Sequence, residues 1–465
     1  MSTQTLPTGE TATRRRTGLG LVLIAAAQFV VIMDTSIIGV ALPDIQRDVG
    51  FSPDALTWIF NAYVIAFGGL LLLGGRLADL FGARRMFALG WTVLLVGSVG
   101  AGLATAPWVE ITARAVQGAG AALIAPAALS LLMTLFGGTA QLPRAFAVYG
   151  AAAPIGGTAG VFLGGVLTEY LGWPWVFYVT VPIALAILLL VPAAFPAGTR
   201  SAGRVDLLGA VTGTLGLAAV VFGVVQAPEM GWASPSTLIA LGAGVLLLIG
   251  FGARQARAAE PLLRPRMLRI PQLGGANIAQ LLLGAAWIPM WFFLNLHLQN
   301  VLGASAFAAG AALIPMTMLI VLGMTLIAPR LAARFGTRAM VVSGFAVLAG
   351  GIAWLAFADG GYAWHVLPAS LVAAAGMALA FVPSLSTAIS SAPPADAGVA
   401  SGLVNTSYQI GSALGLAALS AVSAPVAASA GPDAGYSAAF AGAAIIAVIG
   451  VLLGAALLRA PRSGR

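Results

Sequence analysis

Fourteen apolar runs, each of a length suited to crossing a bilayer, occupy most of the 465 residues and leave the chain almost no way to fold in water. Their limits are 19–42, 55–73, 86–106, 108–136, 145–167, 175–195, 207–227, 236–252, 273–296, 307–328, 339–357, 364–390, 399–426 and 436–458. At about 1.5 Å per residue, some twenty helical residues cover the roughly 30 Å hydrocarbon layer. Hydrocarbon offers no partner to backbone N–H and C=O groups, and the runs lack two-residue alternation, so helices rather than barrel strands are expected. A composition of 60% hydrophobic and 8% charged residues, with a mean hydropathy of +0.99, leaves too little polar surface to clothe a soluble domain. The expected fold class is all-α integral membrane, with fourteen transmembrane helices.

The charges between the runs orient them. If the loops alternate sides, 20 of the 22 basic residues share one side: Arg14 to Arg16, Arg76, Arg84, Arg85, Arg144, Arg200, Arg204, the cluster from Arg254 to Arg269, Arg330, Arg334, Arg338, Arg459, Arg462 and Arg465. Arg47 lies opposite and Arg114 lies within a run. The positive-inside rule then expects both termini in the cytoplasm of a cell-membrane protein. Eight acids (Asp44, Asp48, Asp54, Glu110, Glu169, Glu229, Asp359 and Asp433) fall on or near the outer side. The net charge of +8 thus reads as a topology signal and not as a nucleic-acid surface. Arg14-Arg15-Arg16 before an apolar run imitates a secretory leader, but the run is long, carries Asp34 and is followed by thirteen more, so a retained first helix is expected. The expected organisation is a tail over 1–18, a six-helix bundle over 19–200, two additional helices over 201–253, a basic linker over 254–271, a second six-helix bundle over 272–458 and a tail over 459–465.

Absences narrow the chemistry. The chain has no cysteine and no lysine, which removes disulfides, thiolate metal sites, Schiff bases and a lysine-containing phosphate loop. No cofactor and no metal are expected; a proton gradient is the expected energy source. His297 and His365 stand near the outer ends of the ninth and twelfth runs, with no carboxylate cluster beside them in sequence.

A basic, glycine-punctuated turn, Gly75-Arg76-Leu77-Ala78-Asp79-Leu80-Phe81-Gly82-Ala83-Arg84-Arg85, returns in weaker form 254 residues later as 329–338. Such duplication points to a chain of two related halves, as in many secondary transporters. Asp34 in the first run and Arg114 in the fourth are the ionisable residues read as lying well inside apolar runs. Each costs roughly 2.5–3.5 kcal/mol to insert, and both fall about 10 Å from the outer boundary, so a pair is geometrically possible. One reading is a structural salt bridge. The other is a coupling device: burial favours the neutral acid, a neighbouring arginine favours the carboxylate, and the group changes protonation as its surroundings alternate.

These residues give the chain a full-length resemblance to the major facilitator superfamily, and within it to the fourteen-span drug:proton antiporter branch. The family pattern G-x-x-x-D-[RK]-x-G-x-[RK]-[RK] is met at Gly75, Asp79, Gly82, Arg84 and Arg85, with Leu80 where a basic residue is usual. Met33-Asp34-Thr35 through Val40-Ala41-Leu42-Pro43, Trp58 to Tyr63, Arg114 with Gln117, Gly118 and Gly120, Trp173 to Pro182, and Gly402 to Gly415 also resemble family segments. In the fifth run the antiporter signature G-x-x-x-G-P-x-x-G-G appears as Gly156, Gly160, Val161, Gly164 and Gly165, with valine for proline. Glycines spaced by four flatten a helix face so that another backbone can approach, which would suit an outer gate between halves; plain tight packing is the alternative. The resemblance further implies that Asp79 faces the start of the thirteenth span near 396–399 and latches the halves on the cytoplasmic side. The alternative there is topology-setting charge alone.

Trp58, Asn61, Tyr63, Phe67, Gln117, Gln280, Trp287, Trp291, Phe292, Phe293, Asn405 and Gln409 are candidates to line a cavity between halves; for the aromatics the alternative is a lipid-facing belt. An apolar cavity with few polar groups suits a small hydrophobic or cationic organic substrate better than a sugar. The resulting expectation is a transporter that exports amphipathic drugs or antibiotics against entering protons by alternating access. Proton-coupled movement of one metabolite, or symport, is the second reading, and a membrane-embedded lipid-modifying enzyme is a distant third.

Overall fold

The computed structural model describes residues 8–51, 58–196, 206–258, 270–304, 306–357, 360–393 and 396–458, with 261 and 267 as isolated positions. Among these residues every regular element is helical. In the N-terminal part these are α1 (Thr8–Ser36), α2 (Ile38–Val49), α3 (Trp58–Phe81), α4 (Ala83–Gly102), α5 (Pro107–Phe136), α6 (Leu142–Leu171), α7 (Trp175–Tyr178) and α8 (Thr180–Ala194). α9 (Leu207–Met230) and α10 (Pro235–Arg257) follow. The remainder comprises α11 (Pro271–Asn300), α12 (Ala306–Ala312), α13 (Ile314–Leu322), a π-helical segment Gly323–Ile327, α14 (Ala328–Ala356), a second π segment Tyr362–Val366, α15 (Leu367–Ser390), α16 (Ala397–Ala430) and α17 (Pro432–Leu457). Asp54, Arg200, Arg204, Asp359 and the charges at 260–269 and 459–465 lie outside the described residues, and of Arg14, Arg15 and Glu229 only the helical backbone is described.

Twelve described stretches, not fourteen, are long and apolar enough to cross a membrane. The difference arises in two places. The runs at 307–328 and 339–357 merge into one apolar stretch, Ala308–Ala356, of 49 residues. At about 1.5 Å per residue a straight helix of that length would reach roughly 70 Å, more than twice the hydrocarbon thickness. It is not straight: Gly336 has φ 78° and ψ 162°, a conformation outside the helix that breaks α14 internally. Within α9, the described apolar helix is the shorter Leu208–Val224.

Gly336 lies 254 positions after Gly82, whose φ of 90° separates α3 from α4. Positive φ costs a glycine little and an L side chain much, which is why both copies of the turn keep glycine here. Close packing recurs in the same way. A methyl group on Gly90 would sit 2.8 Å from the Gly120 carbonyl oxygen, and one on Gly120 would sit 2.6 Å from the Leu94 nitrogen, so α4 and α5 cross in backbone contact. The equivalents in the second half are Gly344 against the Gly376 carbonyl, 2.9 Å from such a methyl, and Gly376 against the Leu348 nitrogen. The helix pair α1–α6 is likewise matched by α11–α16, where Gly411 and Gly415 stack on the carbonyls of Leu281 and Ala285. Without a hydrophobic drive between helices in lipid, such close approaches supply the packing energy.

α9 and α10 lie beside α3. Trp58 stacks on Phe222 of α9 with ring centroids 5.3 Å apart, and Ala210 and Phe251 cluster with Leu72 and Leu73. α9 is capped by Asp206, which accepts from the Gly209 amide at 3.1 Å and from Arg254 Nε of α10 at 3.1 Å.

Candidate functional site: a sealed charge cluster

Asp34 stands two residues before the end of α1, and Arg114 stands two turns into α5. Both side chains are fully buried, and Arg114 Nη1 donates to Asp34 Oδ2 at 2.7 Å. Two charges removed from water are tolerated when their remaining donors and acceptors are met. Here α5 supplies Gln117, whose Oε1 accepts from Arg114 Nη1 at 2.7 Å and whose Nε2 donates to Asp34 Oδ1 at 3.1 Å. Gln117 Nε2 also donates to Ser98 Oγ of α4 at 2.9 Å. From α3, the Ile59 carbonyl accepts Arg114 Nε at 3.0 Å, and the Tyr63 ring lies 4.6 Å from the guanidinium carbon. Tyr63 in turn donates its hydroxyl to the Val31 carbonyl at 3.3 Å. Arg114 Nη2 has no hydrogen-bond partner. The cluster therefore ties four helices of one half together while leaving one charged donor unspent.

By its place in the sequence, Glu110 groups with the acids at the outer boundary. The structure instead buries it completely in the first turn of α5, one helical turn before Arg114, and neither of its oxygens has a hydrogen-bond partner. The signal in the sequence is the four-residue spacing to Arg114, which puts both on one helix face.

At the arginine-rich end, Asp79 Oδ1 accepts from the Gly398 amide at 2.8 Å and Oδ2 from the Val399 amide at 3.0 Å. These are free donors of the first turn of α16, where backbone polarity favours an anion. A methyl group on Gly75 would run into the Gly398 carbonyl, so the two helix ends can meet this closely only with glycine present. Arg84 Nη1 donates to the Phe195 carbonyl at the end of α8 at 3.2 Å, while Arg85 is exposed.

The glycine run of α6 does not face the other half. Gly156 packs directly on the Phe29 carbonyl; methyl groups on Gly160 and Gly164 would stand 2.8 Å and 2.6 Å from the carbonyl oxygens of Met33 and Ile37, all in α1 or its end. Gly165 meets nothing within 4 Å. The expectation of an interface between halves is corrected: these glycines seat α1 with its Asp34, and the contact between halves is made by their neighbours. Thr158 and Thr317 of α13 share a hydrogen bond at 2.5 Å, and Val161 packs on Gly310 of α12.

The sequence pattern of the Major Facilitator Superfamily matches residues 24–416. The chain belongs to this superfamily. A cephamycin export protein of Amycolatopsis lactamdurans is 42% identical over 90% of this chain and 87% of its own length. A puromycin resistance protein of Streptomyces alboniger is 40% identical over 87% and 81%, and a tetracenomycin C resistance and export protein of Streptomyces glaucescens 32% over 87% and 75%. Among solved structures, a proton:xylose symporter superposes with a TM-score of 0.68 at 15% identity over 95% of each chain, and the human organic anion transporter MFSD10 with 0.66 at 16% over 97% and 100%. At such identities the structures show the fold alone. The chain is thus a multi-pass membrane protein of a transporter family.

Within this facilitator the other candidate residues separate. Tyr63 and Gln117 belong to the charge cluster. Asn61 and Phe67 are buried in α3. Gln280 is buried and donates to the Phe381 carbonyl at 3.1 Å and to Ser384 Oγ at 2.9 Å, a polar tie between α11 and α15. Trp287 and Phe293 are buried in α11, with Phe293 against Tyr436 of α17, while Trp291, Asn405 and Gln409 are half-buried and Phe292 is exposed. Asn405 donates to the Ser401 carbonyl at 2.9 Å. His297 does have a carboxylate beside it: its Nδ1 lies 3.3 Å from Asp433 Oδ1. That pair joins residues 136 positions apart, beyond the reach of local sequence reading.

Proposed function

We propose that this facilitator is a secondary active exporter of hydrophobic or amphipathic drugs, antibiotics among them, exchanging them for protons by alternating access. The single observation that carries the coupling is the sealed Asp34–Arg114 pair, a carboxyl whose charge state is tied to one arginine in a site without solvent contact. The export names of the relatives support the substrate class. Asp34 and Arg114 are then the coupling pair, the Gly75–Arg85 turn is the cytoplasmic latch, closed in this conformation, and the substrate binds between halves near Trp291, Asn405 and Gln409. On the same proposal the chain crosses the membrane fourteen times, counting α9 and dividing Ala308–Ala356 at Gly336. Both termini are then cytoplasmic, with six-helix bundles at 19–200 and 272–458 and α9–α10 between them.

Purified protein in liposomes with an imposed pH gradient tests this against cephamycin, puromycin, tetracenomycin C and the dye ethidium. The expected result is gradient-driven movement of more than one compound, abolished by Asp34→Asn with membrane insertion intact. Uphill movement by Asp34→Asn, or movement of a single metabolite with none of the panel, overturns the proposal.

A further inference from the structure

The charge cluster contains one more ionisable group than a salt bridge needs. Arg114 is paired with Asp34, yet its Nη2 is unpartnered, and Glu110, fully buried one turn along α5, has both oxygens unpartnered. Among the described residues, the charges acting on Glu110 are Arg114 on its own helix and Asp34 from α1. α3 contributes Tyr63 and α4 the Ser98 hydroxyl to the same cluster, and among the described residues neither α6 nor α16 brings a charged group to it. One guanidinium and two carboxyls out of contact with water are electrically balanced when one carboxyl carries a proton. In this structure the geometry decides which: Asp34 accepts two hydrogen bonds from Arg114 and Gln117, as a carboxylate does, and Glu110 accepts none.

We propose that Glu110 is a second proton-carrying carboxyl of this site, and that Arg114 alternates between Asp34 and Glu110 as their ionised partner. The step conserves charge. The O–H bond of Glu110 breaks, an O–H bond forms on Asp34, directly or through water, and Arg114 turns its free Nη2 edge towards the new carboxylate. Glu110 lies about 6 Å closer than Arg114 to the start of α5, so it is the first carboxyl a proton meets from that end and Asp34 is the second. This deepens the proton-driven reading and rests on it.

Infrared difference spectra after a pH jump, on purified protein in lipid vesicles and without substrate, test the proton inventory through the carbonyl stretch of a protonated carboxyl. Gradient-driven puromycin uptake tests the consequence. The wild type is expected to show an acid carbonyl band at neutral pH that Glu110→Gln removes and Glu110→Asp moves in frequency, while Asp34→Asn, which leaves Glu110 as the one carboxyl facing Arg114, is expected to lose it as Glu110 ionises. Glu110→Gln, close in shape to the neutral acid, is expected to lower uphill uptake at least ten-fold, and Glu110→Asp to restore it to within a few-fold. A band that survives Glu110→Gln, or wild-type uptake and pH profile in that variant while Asp34→Asn is uncoupled, overturns this inference and spares the proton-driven reading. Uphill uptake at the wild-type rate in Asp34→Asn overturns both.

Discussion

Arg114 makes three hydrogen bonds to three different residues, Asp34, Gln117 and Ile59, and stacks on a fourth, Tyr63. A planar guanidinium meets this set because its donors diverge in one plane; a lysine ammonium is a compact point charge on a flexible stem. Arg114→Lys is therefore expected to insert normally and to lose at least ten-fold in uphill transport, measured in the liposome assay. Removing one partner of a buried pair strands the other, a cost of about 3–5 kcal/mol. Asp34→Asn should accordingly lower the melting temperature in detergent, and adding Arg114→Gln should recover part of that loss without recovering transport. Recovery of transport in the double variant would show that the pair only holds helices together. Asp34 and Arg114 are legible in the sequence because charge within an apolar run is costly and stands out. Glu110 is not, because it sits three residues from the start of its helix, where a run boundary read from hydropathy cannot tell a surface acid from a buried one.

At the scale of the helix, the glycines of α6 show how spacing reveals a smooth face without naming its partner. Gly156, Gly160 and Gly164 stack on successive carbonyls of α1 and its end, whereas Gly165 points into open space. The two kinds of position respond oppositely to one added methyl. Gly160→Ala would place a methyl 2.8 Å from the Met33 carbonyl oxygen and 2.9 Å from the Ser36 Cβ, so α1 must shift; overpacking of this kind costs about 1–3 kcal/mol. Gly165→Ala meets nothing and should gain up to about 1 kcal/mol from helix propensity. Thermal unfolding in detergent is expected to move down for the first and level or up for the second; equal shifts would show that the close approach to α1 is not felt. Coupling should suffer with Gly160→Ala as well, since the displaced segment carries Asp34.

Across the whole molecule, the two halves repeat their architecture but not their chemistry. Gly82 and Gly336, Gly90 and Gly344, and Leu94 and Leu348 correspond at a constant spacing of 254, yet Asp79 corresponds to Ala333. The halves therefore share a frame, and the carboxylate contact with the first turn of α16 has no acid at the corresponding position of the second half. Asp79→Ala is expected to free the Gly398 and Val399 amides and bias the molecule towards opening at that end. Because the chain has no cysteine, a single Ala400→Cys, buried here, reports on this directly: its labelling rate should rise several-fold in the Asp79→Ala background, with transport reduced. Unchanged labelling and unchanged turnover would reduce Asp79 to a topology charge. The sequence by itself determined the helical class, the duplication and the identity of the costly charges, because hydropathy, repeat spacing and insertion energy are properties of the chain read in order. The tertiary structure alone decided that the α6 glycines seat α1, that His297 meets Asp433, that Gly336 breaks one 49-residue stretch, and that Glu110 is buried with both oxygens unpartnered. Those are facts of which surface meets which, and in lipid that choice is made by close packing and hydrogen bonding between helices far apart in sequence.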